Sequence, residues 1–543
     1  MYRRWLILTL LVCRTIMAAA QADLPNRVDP LMGTVNRWHQ YSEPYWNKTP
    51  LVDEKHCMVG CVALAQARVM HYWKHPERGT GSYTYIDSTG CGQTLTADFA
   101  AHTYGWDKML YEYKDGNYTD EEVEPMALLM SDCGISLNTR YGTDSSGAHM
   151  VMQPISLTSY FGYDQGVQIH FRDFYKKDEI TRMLKTELAE GRPVLVAGYN
   201  YLVGHAFVID GYNEDDRFHV LLGNPDGEGD GWTSLESMNG SHGEDDPDPS
   251  PESGLNVLQV FVTGIQPQGS PDATGVKTHV FAMESIYTVM DEEQGASDEK
   301  HTVCVKRLAN IGWDVLDGDV ALQLVKDGNI VQTLYTYDRT FELEELADTA
   351  YTDTVCLNID AATPEGEYLI VPMFCDGGTW KAVRTTTGQP NHLLCSVENN
   401  QVTLTEDIAN TAFLTMNDLN MDDYIVNGTA PDVSITLTNH NVEASGRIYF
   451  KMEPLNEGMK EFTLYNQGYT LMGGETRTFR FCKKKIYAPA IGEYRLRVMY
   501  NNNLLSSELT ELTDPDTPIF VSIIYASDIQ IAQALNHQPS TVN

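Results

Sequence analysis

Apolar residues recur every three or four positions in four segments of the first half of the chain, the spacing that buries one face of a helix. This pattern predicts helices over Val62–Lys74, Asp120–Cys133, Ala148–Phe161 and Asp178–Glu190. Short apolar runs bounded by Gly, Asn and Asp then predict three strands, in RPVLVAGYN, HAFVIDGYN and RFHVLLG. Helices that precede strands in this way favour an α+β domain, which we place at residues 23–268.

The pattern changes after Pro267, where helical spacing becomes scarce and short strand-like runs take over. The stretch QPQGSPDATG is typical of a linker, and KDGN between two alternating runs is typical of a β-hairpin. A weak internal repeat relates EGEYLIVPMF, which starts at Glu365, to IGEYRLRVMY, which starts at Ile491. Two units of about a hundred residues with several strands each have the size of immunoglobulin-like β-sandwiches. The sequence therefore predicts two all-β sandwich (Ig-like) domains, at residues 276–405 and 406–530, with the boundary near Thr405.

The N-terminus carries the three parts of an export signal. Arg3 and Arg4 precede the apolar run Trp5–Val12, and small residues follow as far as Ala22. This order is typical of a secretory signal peptide, so we expect residues 1–22 to be cleaved and the protein to be secreted, periplasmic or cell-surface. We expect no transmembrane segment, because no other stretch is apolar for long enough to cross a bilayer.

The formal net charge of −37 limits the classes of partner. Nucleic acids and anionic membranes are disfavoured because their phosphates would be repelled. Loss of Cys13 with the signal peptide leaves an odd number of the ten cysteines, so at least one thiol of the exported protein is expected to be unpaired. Cys57 and Cys61 have no second pair nearby to complete a zinc site, and no metal is predicted.

Two acidic segments late in the first domain raise the question of cation binding. In the first, oxygen-bearing residues alternate with Pro or Gly, at Asn224, Asp226, Glu228 and Asp230. Such spacing suits calcium, but no bidentate Glu follows at the expected distance. The second segment, NGSHGEDDPDPSPESG, is rich in Pro and Ser as well as acidic residues. We interpret both as solvated loops.

Candidate chemistry lies at the start of the first predicted helix. Cys61 follows a glycine there, and backbone N–H groups at a helix N-terminus stabilise a thiolate. His205 also follows a glycine, at the start of an apolar strand, where an imidazole can act as general base to a cysteine. Taken alone, each residue fits a structural role better. Their order, a cysteine at a helix start and a histidine much later on a strand, is that of papain-like sites.

The motifs around both residues resemble the streptopain family of papain-like bacterial cysteine peptidases. The family signature is close to G-C-V-A-x-A-x-A-Q-x-M-x-Y followed by Pro, with a later G-G-H-A-F-V-I-D-G, and this chain has GCVALAQARVMHYWKHP and GHAFVIDGY. RWHQYSEPYW resembles the upstream family segment that carries an oxyanion-hole glutamine. YGWDKML, LMSDCGISLNTRYGTDSSGA and ELAEGRPVLVAG resemble segments that lie between the two catalytic residues. The resemblance covers roughly residues 28–267 and implies a papain-like fold there.

The resemblance also implies roles for individual residues. Cys61 would be the nucleophile and His205 its general base and acid, while the Gln40 side chain and the Cys61 backbone N–H would donate to the oxyanion. The substrates would be proteins or peptides, and no cofactor would be required. Four further residues would help to line the substrate cleft: Tyr141, Ser145, Ser146 and Gly147.

The chain departs from the family at the group that holds the catalytic histidine. Leu221 and Leu222 stand where the family has the Asn-Trp of an Asn-Trp-Gly-Trp-Gly-Gly motif, and Asn224 is the candidate to hold His205 in their place. Only residues 23–37 lie between the signal peptide and Trp38, too few for the family's inhibitory pro-domain. We therefore expect control by the C-terminal domains, by a separate inhibitor, or none.

Three functions fit these observations. The retention of Gln40, Cys61 and His205 together favours an exported cysteine endopeptidase. The replacement at Leu221 and Leu222 favours a catalytically weak or inactive homologue that acts as a surface binding or adhesion protein. An amidase or transglutaminase-like acyl transferase on the same fold would use the same two catalytic residues.

Overall fold

A computed structural model describes residues 24–33, 37–114, 116–200, 203–240, 243–244, 246, 254–289, 293–296, 299–341, 343, 351–481, 485–502 and 508–526. The predicted signal peptide, Cys482 and most of the acidic stretch NGSHGEDDPDPSPESG lie outside these residues. The chain divides into two compact units, one of Met1–Thr385 with Asn391–Glu406 and one of Thr386–Pro390 with Asp407–Asn543. Its described residues form three hydrophobic cores, one in the α+β part and one in each of two β-rich regions after it.

The four predicted helices are present within the described residues. They are α1 (Cys61–Trp73), α2 (Asp120–Ser136), α3 (Met152–Tyr160) and α4 (Lys177–Ala189). Ten consecutive residues of α1, Val62–His71, are buried, so this helix crosses the core and does not lie on its surface. It ends where Lys74 adopts a left-handed conformation (φ 47°), two residues before Pro76. At the start of α2, Thr119 and Glu122 satisfy each other's backbone amides in a capping box.

The three predicted strands are also present, in the middle of one six-stranded sheet. The strands of this part are β1 (Leu51–Val52), β2 (Lys55–His56), β3 (Tyr83–Ile86), β4 (Thr94–Ala97), β5 (Gln168–Phe171), β6 (Val194–Tyr199), β7 (Gly204–Tyr212), β8 (Phe218–Leu221), β9 (Gly231–Thr233) and β10 (Val257–Thr263). The sheet has the order β5-β10-β6-β7-β8-β9, and each neighbouring pair is antiparallel. Helix α1 packs on β7, which brings its N-terminus beside the start of that strand.

The rest of the first unit consists of strands that form a four-stranded and a seven-stranded sheet around a shared core. Its strands are β11 (Phe281–Ala282), β12 (Ser285–Thr288), β13 (Glu293–Ala296), β14 (Lys300–Asn310), β15 (Val320–Lys326), β16 (Asn329–Thr336), β17 (Tyr351–Asn358), β18 (Gly366–Asp376), β19 (Thr379–Ala382), β20 (Leu393–Glu398) and β21 (Gln401–Glu406). The predicted hairpin at KDGN joins β15 to β16. This region is anchored to the α+β part, because the Trp313 indole N–H donates to the Val167 carbonyl at 2.7 Å and Arg384 pairs with Glu179 at 2.7 Å.

The second unit is built from a three-stranded and a six-stranded sheet around its own core. Its strands are β22 (Phe413–Asn420), β23 (Tyr424–Val426), β24 (Ser434–His440), β25 (Ala444–Pro454), β26 (Phe462–Leu471), β27 (Thr476–Arg480), β28 (Gly492–Asn501), β29 (Thr510–Glu511) and β30 (Ile519–Ile524). The repeat noted in the sequence corresponds to β18 and β28, long strands that each lie inside the larger sheet of their region. The described chain is thus mostly β, with its α-helices confined to the first part.

Candidate active site

Cys61 is the first residue of α1, and its position depends on the glycine before it. Gly60 has φ +92°, a conformation that residues with a side chain rarely adopt. The first helical hydrogen bond runs from the Leu64 amide to the Gly60 carbonyl at 3.0 Å, so the amides before Leu64 have no helical partner. The Val62 amide among them acts on the Cys61 sulfur. The thiol itself is partly exposed. A partly exposed thiol over the positive end of a buried helix has the environment of a reactive cysteine.

The side chain of His205, the second residue of β7, interacts with the Cys61 thiol. Burial by itself would raise the pKa of the Cys61 thiol, but the hydrogen bond and charge of His205 and the amides of Ala206 and Val62 outweigh it, so the pKa lies below its ordinary value. Burial would likewise lower the pKa of His205, but Cys61 and the Leu222 carbonyl outweigh it and raise that pKa. Both shifts favour a thiolate paired with an imidazolium.

The group on the far side of the imidazole is a backbone carbonyl. His205 Nε2 lies 2.7 Å from the Leu222 oxygen. Asn224, predicted to hold His205, is engaged elsewhere, because its Oδ1 accepts from the Tyr41 hydroxyl at 3.3 Å and its Nδ2 donates to the Glu228 carbonyl at 2.9 Å. The structure therefore corrects the prediction for Asn224. The carbonyl two residues earlier, that of Leu222, lies against the ring instead.

Gln40 lies next to the segment that leads into α1. Its backbone carbonyl accepts from the Val59 amide at 3.4 Å, two residues before Cys61, and its side chain is buried. The neighbouring Trp38 is fully buried, and its indole N–H donates to the Leu110 carbonyl at 2.7 Å. These contacts fix Gln40 beside the start of the helix, and its role as an oxyanion donor stays a prediction.

The loop predicted to line the cleft packs against the same segment. The Met58 amide donates to the Gly142 carbonyl at 3.0 Å, and a Cβ at Gly60 would lie 3.4 Å from Ser146. Ser145 is exposed, and Ser146 and Gly147 are partly exposed. Tyr141 differs from these residues, because its side chain is 1% exposed and lies in the core. The structure corrects the prediction for Tyr141, whose ring packs inside the domain while only its neighbours reach the surface.

The two acidic segments provide no ion site within the part of the chain that the structure describes. There, no group of three or more His, Cys, Asp or Glu side chains is placed to hold a metal ion. Asp226 instead pairs with Lys114 at 2.8 Å, and Asp230 Oδ1 accepts from the Leu222 amide at 2.7 Å. The eight cysteines in the described residues are free thiols. No helix in those residues has the length and apolar character needed to span a bilayer.

Three residues near His205 were not predicted from the sequence to hold the imidazole or its surroundings. They are Leu222, whose main chain contacts the imidazole, Asp230, which holds the Leu222 amide, and Arg68, which is 1% exposed and donates to the Leu221 carbonyl at 3.3 Å. A signal for Arg68 was present, because an arginine stands at a buried position of α1 where the family signature has glutamine. A backbone carbonyl leaves no such signal.

The chain is similar to known cysteine proteases over this region. A model of the peptidase C10 family matches residues 38–232. The thiol protease/hemagglutinin PrtT of Porphyromonas gingivalis is 30% identical over 308 residues, 55% of this chain and 34% of PrtT. Streptopain of Streptococcus pyogenes is 32% identical over 262 residues, 44% of this chain and 63% of streptopain. The solved structure of active wild-type interpain A cysteine protease from Prevotella intermedia shows 30% identity, with a TM-score of 0.40, over 47% of this chain and 97% of that one. The chain thus spans between 34% and 63% of the length of these curated relatives.

Proposed function

Because a model of the peptidase C10 family matches residues 38–232 of this chain, we propose that the protein is an exported cysteine endopeptidase that hydrolyses peptide bonds through Cys61 and His205. The observation that carries the proposal is the placement of Cys61 at the start of α1 against His205 at the start of β7, where their interaction lowers the pKa of the thiol and raises that of the imidazole. A nucleophilic cysteine needs this arrangement, because the thiolate is the attacking species at neutral pH.

The proposed reaction has two stages. The Cys61 thiolate attacks the peptide carbonyl carbon, and the Cys61 backbone N–H and the Gln40 side chain donate to the oxyanion. Donors of this kind contribute about 3 kcal/mol each in the transition state. The His205 imidazolium then protonates the leaving amine as the C–N bond breaks. A water molecule that gives a proton to His205 attacks the thioester, and the broken C–S bond restores the thiolate.

Further parts of the proposal concern the rest of the chain. Ser145, Ser146 and Gly147 would contact protein or peptide substrates along the cleft, where they lie beside the segment before Cys61. Residues 276–405 and 406–530 would be two immunoglobulin-like sandwich domains that bind substrate or a surface. Residues 1–22 would be the export signal, and a separate inhibitor would control the mature enzyme.

The test compares cysteine variants in a protein-cleavage assay. Reduced protein is incubated with casein, with and without prior treatment with iodoacetamide, alongside Cys61→Ala and Cys356→Ala. Cys356 is the matched control because it is an exposed free thiol in β17, outside the α+β part. We expect Cys61→Ala and iodoacetamide to abolish cleavage and Cys356→Ala to leave it unchanged.

Three results would contradict the proposal in different ways. Cleavage that survives Cys61→Ala would exclude Cys61 as nucleophile. If the wild-type protein cleaves no protein or peptide although iodoacetamide modifies Cys61 rapidly at neutral pH, the reactive thiol serves another acyl transfer. Absence of both cleavage and modification would favour the binding or adhesion function.

A further inference from the structure

We propose that the Leu222 backbone carbonyl orients His205 for the proposed Cys61 chemistry, and that Asp230 is the positioning residue that holds this carbonyl in place. The inference rests on the proposed function, because orientation of His205 matters only if Cys61 reacts. The Leu222 carbonyl takes the role predicted for Asn224, whose side chain hydrogen-bonds the Tyr41 hydroxyl and the Glu228 carbonyl.

The first argument concerns the two nitrogens of the imidazole. A carbonyl oxygen only accepts hydrogen bonds, so the 2.7 Å contact with Leu222 requires a proton on His205 Nε2. The other ring nitrogen is then the one that exchanges a proton with the Cys61 thiol. In proteases with a third catalytic group, that group fixes the tautomer and the orientation of the ring. Here a main-chain atom is placed to do the same.

The second argument concerns how the Leu222 carbonyl is held in place. Side chains from other segments hydrogen-bond the main-chain atoms next to it. The Leu222 amide donates to Asp230 Oδ1 at 2.7 Å, and the Leu221 carbonyl accepts from Arg68 at 3.3 Å. Gly223 has φ +75°, and a Cβ there would lie 2.6 Å from Leu64 of α1. The chain therefore makes a tight turn directly over the catalytic helix, and its carbonyl cannot move without breaking these contacts.

The third argument is electrostatic. Arg68 is buried in α1, where an unpaired cation would be costly, and the charge of Asp230 opposes the effect of burial on Arg68. Burial raises the pKa of Asp230 above its ordinary value, although Arg68, the Leu222 amide, His219 and Arg37 act to lower it. When ionised, Asp230 accepts a charge-assisted hydrogen bond from the Leu222 amide, and its charge favours the buried cation of Arg68. The same carboxylate thus acts on the buried helix and on the segment that holds His205.

The experiment measures the reactivity of Cys61 as a function of pH in the full-length protein. The rate of carboxamidomethylation of Cys61 by iodoacetamide is followed by peptide mass spectrometry from pH 4 to pH 10, together with kcat and KM on a peptide substrate. The variants are Asp230→Ala, Asp230→Asn, Asn224→Ala and the control Glu228→Ala. Glu228 is an exposed carboxylate in the same loop, and its hydrogen bonds, from its amide to the Pro225 carbonyl and from Asn224 to its own carbonyl, use only its main chain.

We expect Asp230→Ala to reduce kcat about 10- to 100-fold with KM unchanged, the loss typical for a group that orients a catalytic ligand. The acid limb of the Cys61 profile should move to higher pH, because a loosely held imidazolium stabilises the thiolate less well. Asp230→Asn keeps an acceptor for the Leu222 amide, so it should retain more activity than the alanine variant. Glu228→Ala should match the wild-type protein in both measurements.

Two outcomes overturn the inference. In one, Asp230→Ala folds and keeps the wild-type profile and kcat. In the other, Asn224→Ala moves the profile and Asp230→Ala does not. The pH profile of Cys61 alkylation can be measured even if no peptide is cleaved. Failure of the proposed function is therefore seen separately, as a wild-type protein whose Cys61 is alkylated but which turns over no substrate.

A second measurement protects the test against an alanine variant that does not fold. In wild-type protein with labelled histidine rings, the His205 signals are assigned by their loss in His205→Ala. Above the pKa of the imidazolium, the remaining proton must reside on Nε2, the nitrogen that faces Leu222. A proton on the other nitrogen would exclude the Leu222 carbonyl as the orienting group.

Discussion

A buried histidine on the catalytic helix should make the α+β part sensitive to acid. His71 is 3% exposed, and its ring stacks on Trp38 at 4.6 Å between centroids and meets Tyr111 at 5.2 Å. Burial, with a smaller contribution from the charge of Lys74, lowers the pKa of His71 from 6.5 to about 4. The substitution that tests this is His71→Phe, which keeps an aromatic ring in the stack and removes the titratable group.

The sign of the effect follows from proton binding. Below pH 6.5 the unfolded chain takes up a proton at His71, whereas the folded protein does not until the pH approaches 4. Acid therefore favours the unfolded state, and stability is lost as the pH falls through this window. At about 1.36 kcal/mol per pH unit the full window corresponds to about 3.4 kcal/mol, of which about 2 kcal/mol is lost between pH 7.5 and pH 5.

The assay is amide hydrogen exchange of peptides from α1, corrected for the intrinsic exchange rate at each pH. It reports the opening free energy of this helix alone, which matters in a chain with several cores. We expect the opening free energy of the wild-type protein to fall by about 2 kcal/mol more than that of His71→Phe between pH 7.5 and pH 5. Equal losses in the two proteins would refute the reasoning, because His71 would then bind protons equally in both states.

Other contacts yield further predictions. Trp313→Phe removes the indole N–H that donates to the Val167 carbonyl, so the thermal midpoint of the first unit should fall as about 1–3 kcal/mol is lost; an unchanged midpoint in calorimetry would mean that the contact contributes nothing. In Gly134→Ala, the new Cβ would lie 1.9 Å from the Tyr141 hydroxyl oxygen, so we expect a loss of about 1–3 kcal/mol in chemical unfolding. Gly105→Ala is its control, since a Cβ there meets atoms no nearer than 3.6 Å, and equal losses in the two variants would argue against the overlap.

Much of the fold could be read from the sequence, because periodic burial leaves a regular pattern. Helix α1 and strand β7 each lie within one residue of their predicted bounds at both ends. Each has a spacing of apolar residues that only one kind of element can bury. The pair Cys61 and His205 could be proposed for a related reason. A thiol and an imidazole are scarce chemical groups, and each follows a glycine at the start of such an element.

The tertiary structure alone decided which group faces the second nitrogen of His205. The sequence pointed to Asn224, because its side-chain amide identifies it as a candidate. A backbone carbonyl identifies no candidate, because every residue has one. Whether Leu222 or Asn224 reaches the ring depends on the turn at Gly223. Arg68 of α1 holds that turn by donating to the Leu221 carbonyl, although the two residues are 153 positions apart in the chain. Tyr141 was misassigned for the same reason, because its neighbours in the chain do not reveal that its ring enters the core. Local periodicity determines which elements form, whereas main-chain contacts between distant segments exist only once the chain is packed.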